Sequence, residues 1–165
     1  MKLTRGAHIL YLDASFGTGT PEWFKVGSDI DDLSIELNPD VSVNKNILDE
    51  TSVLHNGYEP SADITPYYAN PEDSIYPKLR NIAMNRLKGG DCKTSALEVI
   101  VEDTDDTAHM AWKQDVVVAV SSYGGDTSGF QIAYSINYEG ERTQGTVTLV
   151  EKVPTFTAGS TYSGF

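Results

Sequence analysis

Cysteine is almost missing from this chain of 165 residues: Cys92 stands alone, so no intrachain disulfide can form. That argues against a disulfide-stapled secreted domain and fits folding in a reducing compartment. Histidine is scarce too. His8, His55 and His109 are all there are, and none stands in an HExxH or other helix-spaced ligand pair, which argues against zinc or triad chemistry. Basic residues are outnumbered, 12 against 24 acids, for a formal charge of -12 and a pI near 4.5. Such a balance is poor for gripping a phosphate backbone or an anionic membrane. Long apolar runs are also lacking. Near the N-terminus only Ile9 to Leu12 is continuously apolar, and Asp13 interrupts it, so this stretch is neither a signal-peptide core nor a membrane span.

Sites that would announce a reaction are incomplete wherever they begin. Gly17 to Thr20 lacks the Gly-Lys-Ser/Thr of a phosphate loop, and the GGDTSG run around Ser128 has the wrong order for a nucleophile elbow. The acids at Asp29, Asp31, Asp32 and at Asp103, Asp105, Asp106 begin like calcium loops, but the glycine at position six and the glutamate at position twelve are missing. The sequence therefore nominates no catalytic residue, no cofactor and no metal ligand, and reads as a non-enzyme.

What is present begins with one amphipathic segment. Ile75, Leu79, Ile82, Ala83 and Leu87 recur at helical spacing and predict a helix over about 74–88, capped by Ser74 and stopped at Gly89. Arg86 falls among the apolar positions of that wheel. Two explanations stand: the side chain snorkels to water, or it pairs with a carboxylate on another element or another copy. Residues 71–93 carry 5 bases and 3 acids, whereas 1–70 carry 4 and 11 and 94–165 carry 3 and 10. The helical segment is thus the net-basic block of an acidic chain; a weakly paired, solvated helix face is the more common cause of such a distribution, and complementarity within an assembly is the other.

The rest reads as strands and turns. Residues 1–22 mix Gly, Thr, Ser and Pro and are expected to form an N-terminal arm. Trp23 to Val26 predicts a short strand, and Leu33 to Asn38 alternates like a half-buried one. Residues 41–58 predict two strand pieces joined by a long polar excursion, with a hairpin signal at Asn56-Gly57. Pro60 demotes the following segment to an edge strand. Leu97 to Val101 alternates; Val116 to Val120 is continuously apolar, as a strand covered on both faces would be. Gly124 to Gly129 reads as a loop, Ile132 to Leu149 as a hairpin turning at Glu139-Gly140, and residues 154–165 as a C-terminal arm. About eight strands and one helix predict a mainly β protein, a two-sheet sandwich or barrel over 23–153 with the helix on its flank.

The order VGSDIDDLSIELNP at 26–39, then Lys45 to Glu50, Gly57 to Ser61, and Asp73-Ser74-Ile75-Tyr76 opening a helix, resembles the major tail tube proteins of long-tailed, siphovirus-like bacteriophages. Gly124 to Thr127 and the Gly140 to Thr146 stretch are similar too, and the likeness runs from about Trp23 to Leu149. The resemblance implies the phage tail tube fold and a virion protein, assembled in the host cytoplasm, whose hexameric rings stack into a hollow tail tube. It implies as partners further copies of the chain, a tape-measure protein, tail terminator and distal tail proteins, and double-stranded DNA that passes without specific binding. By position it assigns ring-to-ring contact to the loop at 41–58, with Asn44, Lys45, Asn46, Asp49, Glu50 and His55 as candidates; Arg86, from its place on the helical wheel, is the candidate inter-subunit ion pair. Asp29, Asp31, Asp32 and Glu36 are candidate lumen charges, since carboxylates repel passing phosphates. Related readings are the tube of a contractile tail or of a tail-like bacteriocin. From another class, a carbohydrate-binding β-sandwich would use Tyr123, Tyr134 and Tyr138 as a platform.

Overall fold

A computed structural model describes residues 2–27, 30, 32–65, 67–150 and 153–159. Among them the strands are β1 (His8–Asp13), β2 (Trp23–Val26), β3 (Pro39–Lys45), β4 (Thr51–Tyr58), β5 (Ser61–Ile64), β6 (Lys93–Ile100), β7 (His109–Asp126), β8 (Gly129–Val150) and β9 (Val153–Ala158). The helix α1 (Tyr76–Asn85) lies between β5 and β6. Seven strands pair antiparallel in the order β2-β1-β6-β7-β8-β5, with β9 also on β8, and curl into a nearly closed, barrel-like sheet. β3 and β4 form a separate two-stranded sheet. The expected mainly β architecture with one flanking helix is what the chain adopts, its strands divided between one curled sheet and one free hairpin.

Strand alternation sorts the apolar residues into two cores. On one face Leu10, Leu12, Val116, Val118, Ile132, Tyr134 and Ile136 meet Ile75, Leu79 and Ile82 of the helical segment. On the other, Tyr11, Leu97, Val99, Ala111 and Val147 form a second cluster, with Trp23 and Phe156 packed against it. Each fully buried Leu or Ile contributes about 1.5–3 kcal/mol relative to exposure. The ladder between β7 and β8 runs through both cores and shifts register twice. At the first shift, Glu139 to Thr143 oppose only Lys113 to Asp115. This inserts two extra residues, an even number that leaves the same parity facing each core.

Several sequence expectations change. The supposed arm at 1–22 contains β1, held between β2 and β6, with Leu10, Tyr11 and Leu12 buried. The continuous Ile-Leu-Tyr-Leu run is the mark of a strand covered on both faces. Leu33 to Asn38 is no strand; Glu36 makes one isolated bridge to Ser61, and Leu33 and Ile35 tuck under the core edge. Asn56-Gly57 does not turn. A two-residue turn of that kind needs positive φ at both positions, and here Gly57 (φ 127) has it while Asn56 does not. The reversal is at Asn46 to Glu50, a shorter link than expected. Glu139-Gly140, expected to end a strand, becomes the bulge inside β8, with Gly140 at φ 69. Gly124 and Gly125 continue β7 to the Asp126–Gly129 reversal. In the Val116 to Val120 run, Val116 and Val118 are buried but Ala119 is exposed, so the second face is only partly covered. The C-terminal arm begins as β9, while 160–165, with Tyr162 and Phe165, lie outside the described residues.

Helix α1 starts later and stops earlier than the wheel predicts. Ile75 rather than Ser74 is the N-cap, Pro77 sits in the first turn where its missing N–H costs nothing, and the chain leaves the helix at Arg86 in the left-handed region (φ 53).

Candidate functional site

The β3–β4 hairpin stands away from both cores. Val43 faces Val53 across the ladder and Val41 faces His55, so one side of the ribbon carries an apolar stripe. At the tip Ile47 is 100% and Leu48 72% exposed, and Leu54 is exposed on the opposite side. An isolated two-stranded ribbon is marginal in water, and an exposed apolar patch on a monomer marks a contact site. The tip is nonetheless well defined. The Asn46 side-chain oxygen accepts from the backbone N–H groups of Leu48 (2.9 Å) and Glu50 (3.1 Å), and its amide nitrogen donates to Glu50 Oε2 (3.2 Å). Lys45 pairs with Asp49 at 3.5 Å. At the base, Asn38 Nδ2 donates to the Glu59 carbonyl (3.0 Å), and the rings of His55 and Tyr58 lie 4.6 Å apart. The six residues nominated for ring-to-ring contact, Asn44, Lys45, Asn46, Asp49, Glu50 and His55, are therefore exposed on one ribbon.

A second feature was not legible in the sequence. On the helix-bearing face, beyond Leu10 and Ala96, the apolar lining gives way to His8, Glu98, Gln114, Tyr138 and Arg142. Glu98 is only 7% exposed. Its Oε1 lies 3.0 Å from His8 Nε2 and its Oε2 is bonded by Arg142, whose other amino group donates to Gln114 Oε1 at 3.0 Å. Burial pushes the Glu98 carboxyl up, but the hydrogen bonds and charges of His8 and Arg142 outweigh it and hold it below the ordinary value of 4.5. The Tyr138 hydroxyl is driven well up, by burial first and by the Glu98 charge next. His8, Glu98, Gln114 and Arg142 form the floor of a cavity of about 940 Å³ whose opposite wall is Leu33, Ile35, Leu37, Tyr58 and Pro60. Nothing local marks Glu98: it alternates with Leu97 and Val99 like any solvent-facing acid, and its partners are 90 and 44 positions away.

The remaining nominated residues are dispersed. Among the described residues Arg86 meets no carboxylate: it donates to the Ala83 carbonyl and to Tyr123 OH (3.1 Å), with its guanidinium 5.5 Å from the Tyr123 ring centre. Asp32 and Glu36 are exposed, and Asp29 and Asp31 lie outside the described residues. The aromatic platform for sugar is not there. Tyr134 is buried in the core against Tyr67 (6.3 Å), Tyr138 is half-buried over the polar cluster, and only Tyr123 is exposed. Strand alternation turned these rings inward. Among the described residues no group of three His, Cys, Asp or Glu is placed to hold a metal ion, and no helix is long and apolar enough to cross a membrane.

No family model and no curated protein matches the chain. Its fold is similar to that of two solved structures. One is the sheath/tube terminator of PVC, an extracellular contractile injection system, in the extended state: TM-score 0.52 and 8% identity, over 87% of this chain and 96% of that one. The other is the tube-terminating cap of the anti-feeding prophage: TM-score 0.51 and 10% identity, over 88% and 92%. Both neighbours are parts of tail-like particles, and at these identities the likeness is one of fold.

Proposed function

We propose that this chain is a structural subunit of a phage-tail-like particle, assembling with copies of itself as stacked hexameric rings into the tail tube. The observation that carries this reading is the β3–β4 hairpin, whose apolar stripe and tip are covered by nothing among the described residues. The resemblance of about 23–149 to siphovirus tail tube proteins and the fold likeness to contractile-system terminators support it from two directions. In such a tube the hairpin makes ring-to-ring contact, and the outer edge of β2, closed by no second strand among those described, pairs with a neighbour. Asp29, Asp31, Asp32 and Glu36 then face a lumen that holds a tape-measure protein and later passes DNA without retaining it. Arg86, exposed beside Tyr123, would make a cross-subunit contact in that tube. Tail terminator and distal tail proteins would close the two ends, in the virion tail or in the tube of a contractile or bacteriocin-like particle.

A second reading is favoured by the names of the structural neighbours: a terminator or cap that forms one ring and stops. Negative-stain microscopy of concentrated protein separates the two, since a tube subunit gives open-ended tubes and a terminator gives discrete rings. Replacing residues 44–55 by a short glycine linker should leave a folded monomer that makes no tubes. Long tubes from that variant would refute the hairpin as the stacking contact.

A further inference from the structure

We infer that the cavity floored by Glu98, His8 and Arg142 is a socket for the hairpin tip, Asn46 to Glu50, of a second copy of this chain. The inference rests on the proposed self-assembly and names the surface that receives the tip. The socket is electrostatically unusual for its chain. Among the described lining residues the one carboxylate is Glu98, with both oxygens engaged, while Arg5 and Arg142 bring two guanidinium groups and His8 an imidazole to the same space. With histidine neutral, two guanidinium groups against one carboxylate leave the described lining at +1, in a chain of formal charge -12. Its other wall is apolar, from Leu33 to Pro60, so it suits a ligand with apolar side chains followed by carboxylates.

The hairpin tip has that order. Ile47 and Leu48 are its most exposed apolar side chains, and Asp49 and Glu50 follow directly. The carboxylates' present partners, Lys45 at 3.5 Å and the Asn46 amide at 3.2 Å, are themselves exposed, so exchanging them costs little. A volume of about 940 Å³ accommodates the two aliphatic side chains with their acids at the mouth. The tip cannot fill the socket of its own molecule. Tyr58, at the base of the ribbon, lines the cavity, and β3 extends away from that base for seven residues, about 20 Å at the usual rise of a strand. The occupant therefore comes from another copy. A tip-to-socket contact is heterologous: each copy offers an unfilled tip at one place and an unfilled socket at another, and the contact repeats until it closes or runs on as a filament.

The test uses disulfide trapping, since the native Cys92 is buried and gives little background. Leu48→Cys and Ser34→Cys each place one thiol at an exposed position, on the tip and on the socket wall. The two variants are mixed at concentrations where particles are visible and then oxidised. A seated tip raises the local thiol concentration towards the millimolar range, so about tenfold more mixed dimer is expected than from Leu48→Cys with Asp105→Cys, which lies outside the cavity. Independently, the double change Asp49→Lys and Glu50→Lys should raise the concentration needed for assembly about tenfold or more, or about 1.4 kcal/mol. Particles that form while both pairs link equally would overturn the socket and leave the tube reading standing. Wild-type protein that stays monomeric at every concentration would sink both.

Discussion

Arg142 reaches from the bulge of β8 to Glu98 on β6, and with His8 on the other oxygen it engages both oxygens of the carboxylate. Three separate parts of the chain are thereby tied at one buried acid.

Removing one partner should expose what the tie is worth. Arg142→Ala leaves Glu98 buried with His8 alone, and a buried charge short of its partner is costly. Because the Arg142 side chain is itself 37% exposed, the expected loss is about 1–3 kcal/mol rather than more. Urea unfolding measures it. Glu98→Gln combined with Arg142→Ala should lose less than the sum of the single changes.

Acid should undo the same tie. The folded Glu98 carboxyl sits below its ordinary 4.5: burial works against the charged form, but the bonds from His8 and Arg142 prevail. The unfolded chain therefore binds the proton more readily. The stability that Glu98 contributes is complete above that ordinary value and fades as pH falls through the lowered one. Urea midpoints followed from neutral pH down to about pH 3 should decline less steeply for Glu98→Gln than for the native chain.

Gly145 sits where β9 crosses closest to β8. A Cβ there would stand 2.2 Å from the Thr157 carbonyl oxygen and 2.9 Å from the Phe156 ring. Gly145→Ala should force β9 outward, costing about 1–3 kcal/mol, and open residues 153–158 to protease ahead of the rest. Limited proteolysis with mass spectrometry reads the order of cleavage.

Arg86→Gly tests whether that arginine serves fold or assembly. Glycine adopts the left-handed φ of 53 without strain, which offsets the loss of the exposed bonds to Ala83 and Tyr123. Monomer stability should change by less than about 1 kcal/mol. Tube formation, read by sedimentation, should fall if Arg86 contacts a neighbour.

Local patterns carried the helix and the strand content, and long-range partners carried the rest. Ile75, Leu79, Ile82 and Ala83 are buried as their spacing predicts. Arg86 looked misplaced because the wheel was extended past Asn85, where the chain is no longer helical. β1 was read as an arm because turn-forming neighbours surround it, yet its run of alternately directed Ile9, Leu10, Tyr11 and Leu12 feeds both cores. The hairpin residues nominated from the resemblance do share one exposed ribbon. Glu98 had no local signature at all, since its burial depends on His8 and Arg142 arriving from opposite ends of the chain.

The pairing of His8 with Ile100 has a consequence for the ribosome. β1 is made well before its neighbour β6, which follows some ninety residues later, about 5 to 20 seconds at ordinary elongation rates. Through that interval Ile9 to Leu12 has only the short β2 to pair with and lacks its neighbour on the other side, and slowing translation before residue 100 should increase its capture by holding chaperones.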